Sequence, residues 1–237
     1  FPVGLSGLTG LGYILTGGIS PISRNVGLAI DHLMEIKGIF GSGEKFDIIK
    51  PTLNSNQEDH LLWRGLSGAA PFLAIVTELK LKVNDQKPLR VWQAKLDTHQ
   101  LAEAIRQAED WPYSASLQWI WGKEILAYVV TDKEDIQANK CIHSLERILQ
   151  IKNNFKIDDI NGLNELPNFS QSTPLNDNIS RTHNEVIGLL SREWGNSSKS
   201  IVETISQIIK VRPHEGCFIA SQQLGGQTKQ VKSVDTS

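Results

Sequence analysis

Residues 8–31 read LTGLGYILTGGISPISRNVGLAID, with glycines at positions 10, 12, 17, 18 and 27 set into an otherwise apolar run. Glycine loses the most conformational entropy on folding and gives a core nothing to pack. Several in one segment indicate a backbone that bends tightly or is closely approached by something. One reading is a set of turns between short strands. The other is a surface where main-chain N–H groups meet a phosphate or a flat ring system. The text around the stretch has to separate them.

Up to Val83 the chain stays glycine-rich, with β-type runs MEIKGIF (34–40) and FLAIVTELKLKV (72–83). The second run ends in alternation, with Val76, Leu79, Leu81 and Val83 spaced as on a half-buried strand. The polar, Pro-terminated NDQKP (84–88) marks a boundary. Longer elements follow. RVWQAKL (90–96) predicts a strand, and DTHQLAEAIRQAED (97–110) a helix with Leu101, Ile105 and Ala108 on one face. LQWIW, Gly122-Lys123 and EILAYVV form a hairpin pattern, and Thr131–Glu134 reads as a capping box. That box opens a helix whose apolar face is Ala138, Cys141, Ile142, Leu145, Ile148 and Leu149. Residues 153–178 read as a long polar loop, and SRTHNEVIGLLSREWG (180–195) as a helix with Gly195 at its C-cap. A second amphipathic helix runs through Ile201, Ile205, Ile208 and Ile209. The tail from Gly216 predicts strand, Gly-Gly turn, strand. Strand, helix, hairpin, helix without a βαβ rhythm predicts α+β with an antiparallel sheet covered by helices. The boundary divides the chain into residues 1–85 and 86–237.

With 237 residues there is room for one large domain or two modest ones. A net charge of −2, with both signs interleaved, excludes a basic field for nucleic acid or an anionic membrane. No apolar run nears the length of a bilayer span. Cys141 and Cys217 lie far apart without neighbouring ligands, which predicts reduced thiols, a cytoplasmic setting and no metal site. The six histidines are scattered, and Asp158-Asp159 reads as a solvated pair in a loop. Neither a nucleophile elbow nor a P-loop is present. Trp119 and Trp121 sit two apart on a strand and so share a face. Such a face either packs under the helices or presents rings to a substrate. The chain opens FPVG, without methionine, as if taken from something longer.

TGGISPISRNVGLAIDHL followed by MEIKGIFGSGE, then DHLLWRGLSGAAPFLAIVTELKLKV, then LGGQTKQVKSVDT occur in that order. Together they resemble the vanillyl-alcohol-oxidase superfamily with its PCMH-type FAD-binding domain, in particular the berberine-bridge-enzyme-like branch. The resemblance implies that residues 1–85 form the C-terminal part of an FAD-binding domain and 86–237 an α+β substrate domain. It implies FAD as cofactor, with Gly12, Gly17, Gly18, Ser23, Gly27, Asp31, Val76 and Thr77 on the cofactor side and Trp119 and Trp121 on the substrate side. The reaction it implies is hydride transfer from an alcohol or amine carbon of a small molecule or sugar to flavin N5. The N-terminal FAD subdomain is then expected in the parent chain, ahead of Phe1.

The sequence departs from the family pattern in places. A cysteine for a second flavin attachment would align with Leu5 or Ser6, and neither is a thiol. Ala69, Ala70 and Pro71 replace glycines. The carboxylate base of the berberine-bridge type falls near Gln230, an amide that takes no proton near neutral pH. These departures keep a second reading open: a catalytically degenerate relative that serves as a binding or structural module.

Overall fold

The computed structural model describes residues 10–85, 87–150, 155–166 and 186–230. The chain enters through a short helix α1 (Leu11–Leu15), a one-turn helix α2 (Ser23–Val26) and a 3-10 turn at Ala29–His32. It then lays down β1 (Leu33–Phe40) and β2 (Lys45–Ile49), crosses through α3 (Gln57–Leu73), and returns as β3 (Ala74–Leu81). These strands make an antiparallel sheet in the order β2-β1-β3. One face packs Ile36 and Leu33 against Ile14, Leu15, Trp63 and Leu66. The other carries charge, with Lys37 bridging Glu35 at 2.9 Å and Asp47 at 3.1 Å.

Helix α3 was not foreseen from sequence. Asn56 caps it, its side chain accepting from the Asp59 N–H at 2.8 Å. Its middle breaks at Ser67 (φ −86°, ψ 70°) and Gly68 (φ 141°, ψ −38°). The break accommodates Pro71, since the carbonyl four residues before it belongs to Ser67, already outside helical geometry. Phe72 and Leu73, read as strand, end this helix instead. β3 half-buries Val76, Leu79 and Leu81, with the alternation interrupted at Thr77 and Glu78, both exposed beside a register shift against β1; Val83 lies beyond the strand and is exposed.

After the polar break, β4 (Leu89–Leu96), α4 (Thr98–Ala108), β5 (Ala115–Trp121), β6 (Ile125–Asp132) and α5 (Ile136–Leu149) follow the predicted order. β7 (Phe155–Ile160), α6 (Ser198–Lys210) and β8 (Ile219–Gln222) complete a second antiparallel sheet, β7-β4-β6-β5-β8. Helices α4, α5 and α6 cover one face through Leu101, Ile105, Ile142, Leu145, Val202 and Ile205. The α+β class with an antiparallel sheet under helices is thus observed.

Several local expectations need correcting. The α5 cap is Asp135, accepting from the N–H groups of Gln137 at 2.8 Å and Ala138 at 3.1 Å. Thr131 and Asp132 instead extend β6. The expected loop contains β7, paired to β4 from Phe155 to Ile160. Asp158 and Asp159 are therefore strand neighbours pointing to opposite faces. Asp158 meets Lys156 at 2.7 Å, and Asp159 meets Arg90 at 2.8 Å. Residues 186–194 are not helical, and Gly195 begins a 3-10 turn instead of closing a helix. After β8 the Gly225-Gly226 pair leads into a 3-10 turn, Gly226–Lys229, where a strand was expected. Leu5, Ser6, residues 153, 154 and 167–178 of the expected 153–178 loop, the start of the 180–195 helix and the tail beyond Gln230 lie outside the described residues.

Candidate functional site

Gly17 and Gly18 have positive φ, +118° and +75°, and turn the chain from α1 back toward Ala29 and Ile30. The Gly18 carbonyl accepts from Ala29 N–H and the Gly17 carbonyl from Ile30 N–H, both at 3.0 Å. The two glycines then differ. A Cβ on Gly18 would lie 2.4 Å from the Ala29 Cβ, so its missing side chain is demanded by packing within the protein. A Cβ on Gly17 would meet nothing within 4 Å, and Gly17 opens onto a cleft.

The cleft has a volume of about 490 Å³. Thr16, Gly17 and Asp31 form one wall, Ser67, Gly68 and Ala69 at the α3 break another, with Lys50 and Trp63 beside them. Of the residues expected on the cofactor side, the structure therefore brings Gly17 and Asp31 together. Asp31 also closes its own 3-10 turn, accepting from Leu28 N–H at 2.8 Å. The hydroxyl of Ser67, 4% exposed, has no hydrogen-bond partner among the described residues.

The remaining candidates do not line this cleft. Gly12 lies in α1, its carbonyl accepting from the Thr16 hydroxyl at 2.7 Å. Ser23 is buried, its Oγ accepting from Ser20 N–H at 2.9 Å. Gly27 (φ +89°) sits where a Cβ would come within 3.0 Å of the Asp31 carboxylate. Val76 half-buries its side chain on the first core, and Thr77 on β3 is exposed, its hydroxyl 3.4 Å from the Lys37 carbonyl.

Trp119 and Trp121 require a correction. Both belong to the helix-covered core, 3% and 7% exposed, and Trp119 packs against Trp194 with ring centroids 6.4 Å apart. Buried under helices, neither indole offers a face to a ligand. The opposite sheet face holds what sequence reading missed. Lys156, Gln93, Tyr128, Gln118 and Gln222 stand directly opposite one another across β7, β4, β6, β5 and β8. Directly opposed residues share a face, so these form one polar row across the sheet. Gln118 donates through Nε2 to the Ser116 hydroxyl at 2.9 Å, and that hydroxyl donates in turn to the Pro21 carbonyl. Gln118 is 2% exposed, yet its Oε1 has no partner among the described residues. Burial raises the Tyr128 phenol above its ordinary range, so it stays protonated. The signal for this row was available: the alternation that groups Trp119 with Trp121 sets Gln118 on the other side.

Among the described residues no cluster of His, Cys, Asp or Glu could hold a metal ion. No helix among them is long and apolar enough to cross a membrane. Gln230 is exposed at the end of the last 3-10 turn, away from any strand.

No protein-family model and no curated protein matches the sequence. Solved structures do match in three dimensions. A chitooligosaccharide oxidase aligns over 100% of this chain and 53% of its own, with a TM-score of 0.73 and 17% identity. A glycopeptide hexose oxidase, solved with teicoplanin, aligns over 100% of this chain and 54% of its own, with a TM-score of 0.66 and 15% identity. A VAO-type flavoprotein from Myceliophthora thermophila aligns over 63% of this chain and 29% of its own, with a TM-score of 0.50 and 16% identity. The chain thus spans about half the length of the two oxidases that match it throughout. It has the α+β fold of these PCMH-type oxidases.

Proposed function

We propose that this chain is part of an FAD-dependent oxidoreductase that oxidises a hydroxyl-bearing carbon of a carbohydrate. The observation that carries the reading is the cleft at Gly17, Asp31 and Ser67, lying within a fold shared end to end with two oxidases of sugar-bearing compounds. The cleft residues fit a flavin. Gly17 leaves open the space that a side chain would fill, the Trp63 indole gives an apolar wall, and Lys50 supplies a cation beside it. The buried, unpartnered Ser67 hydroxyl underlies the same wall.

Bound there, FAD would supply the two-electron sink that the side chains lack. Gly17 and Gly68 would let the backbone approach the cofactor, and Trp63 would exclude water from it. Gln93 and Gln222, the half-buried members of the polar row, suit a polyhydroxylated substrate, because amides both donate and accept, while Tyr128 and Gln118 lie buried between them. Gln230 takes no part in proton transfer in this reading. Part of the FAD site is contributed by a further segment of the parent protein, in keeping with the half-length match to the oxidases.

The first test compares residues 1–237 with the complete parent protein. Each is mixed with FAD, desalted and scanned for flavin absorbance, and the parent is then titrated anaerobically with hexoses and oligosaccharides. We expect a stoichiometric yellow parent bleached by a carbohydrate, and little flavin on the shorter chain. A parent that holds no FAD but still binds oligosaccharide would replace the enzyme with a binding module.

A further inference from the structure

We propose that Arg24 is a positioning residue that locks the glycine turn of the first unit, residues 10–85, onto the polar face of the second sheet. Its effect on turnover rests on the oxidoreductase reading; its effect on the junction does not. Arg24 is 5% exposed, and among the described residues every acceptor of its guanidinium is a main-chain carbonyl of the second unit, residues 87–230. Nε donates to Ala115 at 2.9 Å, one terminal nitrogen to Leu224 at 2.9 Å, and the other to Trp111 at 2.8 Å, with the Pro112 carbonyl at 3.4 Å. A buried cation is costly unless its donors are paired; here four of the five N–H groups meet carbonyls, and while burial lowers the Arg24 pKa, the nearby Glu109 charge opposes that shift. A rigid planar fork can join the α4–β5 connection, the first residue of β5 and the turn after β8 at once. A lysine ammonium, a point charge on a flexible stem, lacks that fixed geometry.

A second contact closes the junction from the opposite side. Gly226 (φ +58°) lies against the Arg24 backbone, where an added Cβ would stand 2.4 Å from the Arg24 carbonyl oxygen and 3.0 Å from the Tyr113 ring. Apolar packing contributes little here, since among the described residues Ile22 is the one residue of the first unit that packs on a buried cluster of the second. Polar contacts therefore carry the registration: the Arg24 fan and the bond from Ser116 to the Pro21 carbonyl. The Ser20–Ser23 turn, held by its own side-chain bond, connects this lock to Gly17 and Gly18 at the cleft. Arg24 thereby fixes how far the cleft stands from the row holding Gln118 and Tyr128.

The test uses hydrogen exchange on the chain without ligand, then kinetics on the complete protein. In Arg24→Met, the amides of Ala115, Leu117, Gly225 and Thr228 should exchange at least tenfold faster, while those of β1 and α5 change less than twofold. Unchanged exchange at the four amides overturns the lock. Should Arg24→Met fail to fold, Gly226→Ala opens the same junction with the guanidinium intact and carries the same expectation. In the complete protein, Arg24→Lys should slow flavin reduction by carbohydrate at least tenfold while leaving FAD affinity and flavin absorbance as in the wild type. Normal reduction despite faster exchange overturns the positioning role. A wild type without flavin overturns the oxidoreductase reading instead, and the exchange result then decides the lock alone.

Discussion

At the scale of single residues, Gly17 and Gly18 separate two causes that look identical in sequence. Both hold positive φ, but only Gly18 is crowded, by Ala29 and Tyr13. Gly17→Ala should cost about 1–3 kcal/mol, from backbone strain alone. Gly18→Ala should add about 1–3 kcal/mol for overpacking. Urea denaturation of the two variants checks the order, and equal losses would contradict the crowding at Gly18. Gln118 gives the opposite case. Its buried Oε1 is unpartnered, so Gln118→Leu should leave stability within about 1 kcal/mol of the wild type or raise it. The site was half legible at this scale. Glycine counting found Gly17, and family order found Asp31. The tryptophans drew attention to the wrong parity of β5, because their size suggested a ligand face when it serves the core.

At the scale of elements, hydrophobic period identified those with an unbroken apolar stripe: β1, β4, α4, the β5–β6 hairpin, α5 and α6. It failed where local chemistry disguised the element. Gly65, Gly68 and Pro71 hid α3, and the broken middle of that helix makes one wall of the cleft. β7 was hidden by its charges, since FKIDDI is an edge strand whose polar side chains pair with those of β4 and its surroundings. Arg90 grips Asp159 with two nitrogens, at 2.8 and 3.3 Å, and Lys133 stands 3.0 Å away. The Arg90 and Lys133 hydrogen bonds hold the Asp159 carboxyl down at about 2. Its pKa is thus depressed on folding, so the stabilisation is present above the unfolded value of about 3.9 and lost as pH falls through about 2. The side chain is 40% exposed, which limits the pair to at most about 1 kcal/mol. Asp159→Asn should therefore be slightly less stable than the wild type at pH 7, with the gap closing between about pH 4 and pH 2. A gap that widens on acidification would contradict the assignment.

For the whole molecule, the question is whether the two sheets behave as one cooperative unit. The buried apolar cluster of β1, α1 and α3 does not merge with the larger cluster under α4, α5 and α6. What joins them is the polar junction at Arg24 and Pro21, together with the contact of Ile22. Hydrogen bonds each add only about 0.5–1.5 kcal/mol net, so they set orientation more than they couple unfolding. The first cluster is also the smaller, and the first sheet leaves Ile49 and Ile75 exposed at 70% and 73%. The first unit should therefore unfold at lower urea than the second when the 237-residue chain is studied alone. The sequence provides the probe, because Trp63 is the one tryptophan before Trp92, and it sits in the first cluster at 5% exposure. Subtracting the fluorescence of Trp63→Phe from that of the wild type isolates the first unit. The remaining signal, from Trp92, Trp111, Trp119, Trp121 and Trp194, reports the second. We expect the difference curve to fall first and the residual curve later, and Arg24→Met to move them further apart. Two superimposed curves would make the chain one cooperative unit, and their persistence in Arg24→Met would show that contacts other than the Arg24 fan couple the cores.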